Sequence, residues 1–145
     1  MSGTDLVREW FEIASVDFQA ATHLHKTMHP KPLEIICYLC QQSVEKSLKG
    51  FLTSNDVEPP YIHDLDKLRL MCMEYDPSFE KLQDACMKLK DYAATTRYPD
   101  CPEIEEHDAV YALREADKIY THCAALIPEL RQDQTQEPQN PQQSM

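Results

Sequence analysis

Apolar positions recur along this chain with the period of amphipathic helices. Between Ile35 and Leu52, the residues Ile36, Cys37, Cys40, Val44, Ser47, Leu48 and Phe51 fall on one arc at about 100° per residue, which predicts a helix with one buried side. Upstream, Leu6, Trp10, Ile13, Ala14, Ala21, Leu24 and Met28 form the stripe of a first helix, opened by Thr4 as N-cap with Asp5 in the first turn and ending about residues 25–28. His29-Pro30-Lys31-Pro32 interrupts it, and the second helix runs from about Leu33 to residues 52–54. Asn55 to Pro60 is turn chemistry, after which Asp64 caps a shorter third helix carrying Leu65, Leu68, Met71, Cys72 and Tyr75. Beyond Asp76-Pro77-Ser78, the spacing of Phe79, Leu82, Ala85, Cys86, Leu89, Tyr92 and Ala93 predicts a fourth helix to about Thr96. Ala109, Ala112, Leu113, Ala116, Ile119, Tyr120, Cys123 and Ile127 predict a fifth, starting about residues 104–106 and closed by Pro128.

Only 2 glycines occur in 145 residues, too few for the tight turns of a sheet protein, so the reading is all-α: a single up-and-down bundle of about five helices. With 42% hydrophobic residues the chain can bury one core, placed in residues 1–130. Residues 131–145 are rich in Gln, Pro and Asn and are expected to form a disordered tail. Asp5, Arg8, Glu9, Glu12 and Asp17 stand where a signal peptide needs an apolar stretch, and no apolar run is long enough for a membrane span, so a cytoplasmic location is expected. There the 6 cysteines are expected as reduced thiols, with Cys37, Cys40, Cys86 and Cys123 on apolar faces. A net charge of -11 repels phosphate backbones and disfavours RNA as a partner.

The polar side of the second helix carries the candidate chemistry. Tyr38, Gln42, Glu45, Lys46 and Lys49 follow the i, i+3, i+4, i+7 spacing of one ridge, which on charge pattern alone is a solvated outer face. Asp17 breaks the apolar stripe of the first helix and either stays wet at a shallow edge or pairs with Lys46, Lys49 or Arg97. Pro99 removes Tyr98 from helical geometry, so Arg97 and Tyr98 are displayed at a helix end. His63 alone reads as a capping or surface residue. Cys37-x-x-Cys40 has zinc-ligand spacing, with Cys101 and His107 as conceivable partners. No second such pair exists and both thiols face the core, so no metal is expected.

The order Cys40-Gln41-Gln42, Glu45-Lys46, Lys49, then His63-Asp64-Leu65 and Arg97-Tyr98-Pro99, with Asp17 upstream, resembles HEPN domains over about residues 4–127. The branch it looks like is the Arg-Tyr-Pro branch associated with minimal nucleotidyltransferases, of the nucleotidyltransferase substrate-binding-subunit type. The resemblance implies a cytoplasmic homodimer that binds a nucleotide and partners a nucleotidyltransferase in a toxin–antitoxin-type pair. The implied ligand-binding residues are Gln42, Glu45, Lys46, Lys49, Arg97, Tyr98, Asp17 and His63, with no cofactor. HEPN ribonucleases carry Arg-x(4–6)-His, which is not found here: the histidine after Arg97 is His107, and the one after Arg114 is His122, both too distant. No catalytic residue is therefore expected. The alternatives are a ligand-free dimeric interaction module and a metal-independent ribonuclease. One geometric expectation follows: Lys46, Lys49 and Arg97 should cluster with Glu45 or Asp17 in a polar cleft.

Overall fold

The computed structural model describes residues 2–93, 99 and 103–130. Among these the chain is all helical: α1 spans Gly3–Thr27, α2 Leu33–Ser54, α3 Leu65–Met73, α4 Gln83–Leu89 and α5 Glu106–Ala125, with 3-10 turns at Pro77–Leu82 and Lys90–Tyr92. The up-and-down bundle inferred from apolar periodicity is the fold observed. No helix among the described residues is long and apolar enough to cross a membrane. The tail at 131–145 lies outside the described residues, as do Arg97, Tyr98 and Cys101.

Helix α2 is the axis of the bundle and packs against α1, α3 and α5. It runs antiparallel to α1: the Ser43 hydroxyl donates to the Ala14 carbonyl at 2.8 Å, while Gly50 meets Phe11 nearer the start of α1. The predicted apolar arc of α2 is buried throughout, and Phe51 stacks at a tilt on Phe79 with centroids 4.6 Å apart. Phe11 meets Tyr120 of α5 edge-on at 5.4 Å, closing the core from the far side.

Three local expectations change. The N-cap of α1 is Ser2 rather than Thr4: its hydroxyl accepts the Asp5 N–H at 3.1 Å and the Asp5 carboxylate accepts the Ser2 N–H, a reciprocal cap that satisfies two otherwise orphaned donors. The buried line of α1 is Val7, Phe11, Ala14 and Ala21, whereas Leu6, Ile13 and Met28 of the predicted stripe remain largely exposed, together with Val16. Two apolar lines run along α1, and the one that can enter the gap beside Gly50 is the one that packs. Finally, the fourth helix is broken up. Asp76 caps a 3-10 turn by accepting the Ser78 N–H at 2.9 Å with Pro77 in the first turn, α4 proper is 7 residues, and Lys90–Tyr92 is again 3-10. The predicted end at Thr96 lies outside the described residues.

Cys37, Cys40, Cys72, Cys86 and Cys123 are buried free thiols. Burial pushes Cys37 and Cys86 up to about 12 and the other three higher still, so they are protonated packing groups at neutral pH. No group of three His, Cys, Asp or Glu side chains among the described residues could hold a metal ion.

Candidate functional site

Because α1, α3 and α5 surround α2, the polar ridge that would be a solvated face on an outer helix is largely enclosed. This overturns the reading from charge pattern alone. Glu45 is 1% exposed and Lys49 5%, while Gln42 and Lys46 are half-buried and Tyr38 is exposed. A carboxylate and an ammonium at that depth persist only when they satisfy one another.

Glu45 is the centre of the arrangement. Lys49, one helical turn on, donates to its Oε2 at 3.0 Å, and His63 Nδ1 lies 3.0 Å from both carboxylate oxygens. Since a carboxylate only accepts, Nδ1 carries the proton in that contact. The Lys46 Nζ stands 3.8 Å from Oε2 and donates to Gln42 Oε1 at 2.8 Å. The Gln42 amide donates to Gln41 Oε1 at 2.7 Å, and Gln41 donates to Glu45 Oε1 at 3.3 Å and to the His63 carbonyl at 3.2 Å. Burial alone pushes the Glu45 carboxyl up. The hydrogen bonds from Lys49 and His63, with the charges of both lysines, outweigh it and hold the group below the ordinary carboxylate range.

Asp17 sits half-buried on α1 beside this network. Burial raises its carboxyl above the usual range, the Lys46 charge pulls it down, and Glu45 pushes it up again. Of the residues expected at the site, Lys46, Lys49 and His63 each meet Glu45, Gln42 joins through Lys46 and Gln41, and Asp17 adjoins them electrostatically. Arg97 and Tyr98 fall outside the described residues. Gln41 was missing from the expected set. It is fully buried and welds Glu45 to the loop before α3. Its signal in the sequence was weak, because it stands off the ridge by one position toward the apolar arc.

The histidines and arginine weighed for ribonuclease chemistry are engaged separately. His122 Nε2 lies 2.9 Å from the Ser78 hydroxyl, with its ring edge-on to Phe79, and burial lowers its affinity for a proton. Arg114 lies over the Tyr111 ring and pairs with Glu115, while His107 lies beside Glu105 and Asp108.

A helical bundle threaded by one central helix, with a charged seam buried along that helix, defines the class of molecule. The sequence model of the HEPN domain matches residues 7–126, and the chain belongs to the HEPN family. The fold is similar to the crystal structure of an archaeal HEPN homologue, with a TM-score of 0.65 and 23% sequence identity over 83% of this chain and 97% of that one. No curated protein matches the chain.

Proposed function

We propose that this HEPN protein binds a nucleotide at the Glu45 network and acts as the partner of a minimal nucleotidyltransferase in a toxin–antitoxin-type pair. The observation that carries the reading is the buried Glu45 carboxylate, which draws Lys46 and His63 to it while the His63 side chain remains 67% exposed. A bundle stabilised only by packing gains little from a buried ion cluster, since apolar replacements are often as stable, and clustered charges with displaced pKa values concentrate at functional sites. In this reading Lys46 and His63 meet the phosphates, Gln42 orients Lys46, and Glu45, Lys49 and Asp17 hold the constellation. Arg97 and Tyr98, displayed at a helix end in the sequence reading, supply a phosphate contact and base stacking in this proposal.

Calorimetry with nucleoside mono-, di- and triphosphates tests it. Wild type is expected to bind at least one of them, and Lys46→Ala to weaken that binding about tenfold, since one partly exposed charged hydrogen bond contributes about 1.5 kcal/mol. Absence of binding by wild type at millimolar ligand, or equal binding by both proteins, refutes the nucleotide site. A nucleotidyltransferase gene beside this one supports the pairing, and its absence favours the ligand-free interaction module.

The same reading includes a homodimer through α1, favoured by Ile13 at 40% and Val16 at 61% exposure, apolar side chains left uncovered near Asp17. Ile13→Glu combined with Val16→Glu is expected to convert a dimer into a folded monomer in analytical ultracentrifugation. A wild-type mass of one chain at tens of micromolar removes the dimer from the proposal.

A further inference from the structure

On the side of the bundle where α1 begins and α2 ends, a cleft of about 420 Å³ opens between Trp10 and the loop that follows α2. Its walls are apolar and rigid: Trp10, Pro59, Pro60 and Tyr61. Tyr61 is 95% exposed, the most exposed of the large hydrophobic side chains among the described residues, so packing among those residues does not account for its position. Prolines on its N-terminal side restrict the backbone that presents it.

The electrostatics of the cleft have one sign. Asp56 and Glu58 line it, and its one cation, Lys49, is already neutralised by Glu45 at 3.0 Å. The C-terminal end of the 22-residue α2 also borders the cleft through Thr53, and its last turn contains no basic residue, although the Phe51, Leu52 and Thr53 carbonyls accept hydrogen bonds from residues 54–57. The positive pole at the start of α1 is offset by Asp5 within its capping box. Two carboxylates beside aromatic and proline walls form a receptor for a cation with a flat face and an apolar stem, which describes arginine more closely than lysine. The net charge of -11 adds attraction at long range.

We infer that this cleft is a docking site for an arginine side chain borne by an extended basic segment of a partner protein. The cleft shares Lys49 with the Glu45 network, but the residues that would take the arginine, Asp56, Glu58 and Tyr61, are not among those assigned to the nucleotide, and the inference does not depend on nucleotide binding. The guanidinium stacks against Trp10 or Tyr61 while Asp56 and Glu58 accept its N–H groups. Salt weakens the contact because both carboxylates are near solvent.

Trp10 is the single tryptophan of the chain, so its fluorescence reports on this cleft. The probe is an N-acetylated, C-amidated peptide alternating arginine and glycine, titrated beside peptides in which lysine or glutamate replaces arginine. The expected result is a saturable change in Trp10 emission with the arginine peptide, weaker with lysine and absent with glutamate. Tyr61→Ala and the double variant Asp56→Asn with Glu58→Gln should each weaken binding at least tenfold without lowering the melting temperature. An unchanged emission at millimolar arginine peptide overturns the inference, as does equal affinity in wild type and both variants. Emission that instead depends on protein concentration alone and is abolished by Tyr61→Ala also overturns it, in favour of a second copy of this chain as the occupant.

Discussion

Glu45→Ala is expected to lower the stability of the bundle by about 3–5 kcal/mol, the cost of breaking a buried pair by removing one member. Lys49 is then left at 5% exposure with no carboxylate, and the Gln41 amide and His63 Nδ1–H lose the acceptor they share. Against a total of about 5–15 kcal/mol for a domain of this kind, that is enough to bring the variant close to unfolding at physiological temperature. Urea denaturation followed by circular dichroism measures it. The double variant Glu45→Leu with Lys49→Met separates charge from volume: apolar replacement of both partners should recover most of the loss. If the single variant is as stable as wild type, Glu45 does not organise the site.

The same group sets a pH dependence. Its folded-state pKa is depressed, so the unfolded chain binds protons more readily, and the stabilisation is complete above the unfolded value of about 4.3 and disappears as pH falls through the folded one. Between neutrality and about pH 5 the contribution of Glu45 is therefore flat. Below that range wild type should lose stability more steeply than Glu45→Gln, in which nothing at this position titrates.

The periodicity of apolar residues was sufficient to place α1, α2 and α5 because each is long enough for several turns to agree. Asp64 as the cap of α3 was legible for a local reason: its carboxylate accepts the N–H groups of Asp66 and Lys67. What local pattern could not supply was the number of neighbours α2 would have. A helix touched on one side shows its polar ridge to water, whereas α2 is touched by α1, α3, α4 and α5, and only the assembled bundle makes Glu45 and Lys49 interior residues. The stripe of α1 was legible in part: Ala14 and Ala21 are buried as predicted, but Leu6-Trp10-Ile13 and Val7-Phe11 are both helical apolar lines, and the choice between them is made by the shape of α2. In the region of Pro77–Tyr92 the apolar residues serve either helix type, so their spacing did not reveal the 3-10 turns on each side of α4.

Gly50 is where that shape is decided, and substituting it is the second large effect expected. In an ordinary helix interior, Gly→Ala gains about 1 kcal/mol from reduced backbone entropy in the unfolded chain and better helix propensity. Here a Cβ would lie 2.5 and 2.8 Å from two ring carbons of Phe11, closer than atoms pack, and a tight 3.1 Å from Trp10 Cβ. The Phe11 ring is 3% exposed and held edge-on against Tyr120, so relieving the clash means separating α1 from α2 or disturbing the core. Overpacking of this kind costs about 1–3 kcal/mol, which set against the propensity gain of about 1 kcal/mol leaves Gly50→Ala destabilised by up to about 2 kcal/mol and Gly50→Val by more. Phe11→Leu supplies the discriminating comparison. Combined with Gly50→Ala it should cost less than the sum of the two single losses, because the smaller side chain vacates the space the new methyl needs. Thermal denaturation of the four proteins reads the coupling directly, and a Gly50→Ala variant that melts above wild type would show that the two helices have room to spare at their closest approach.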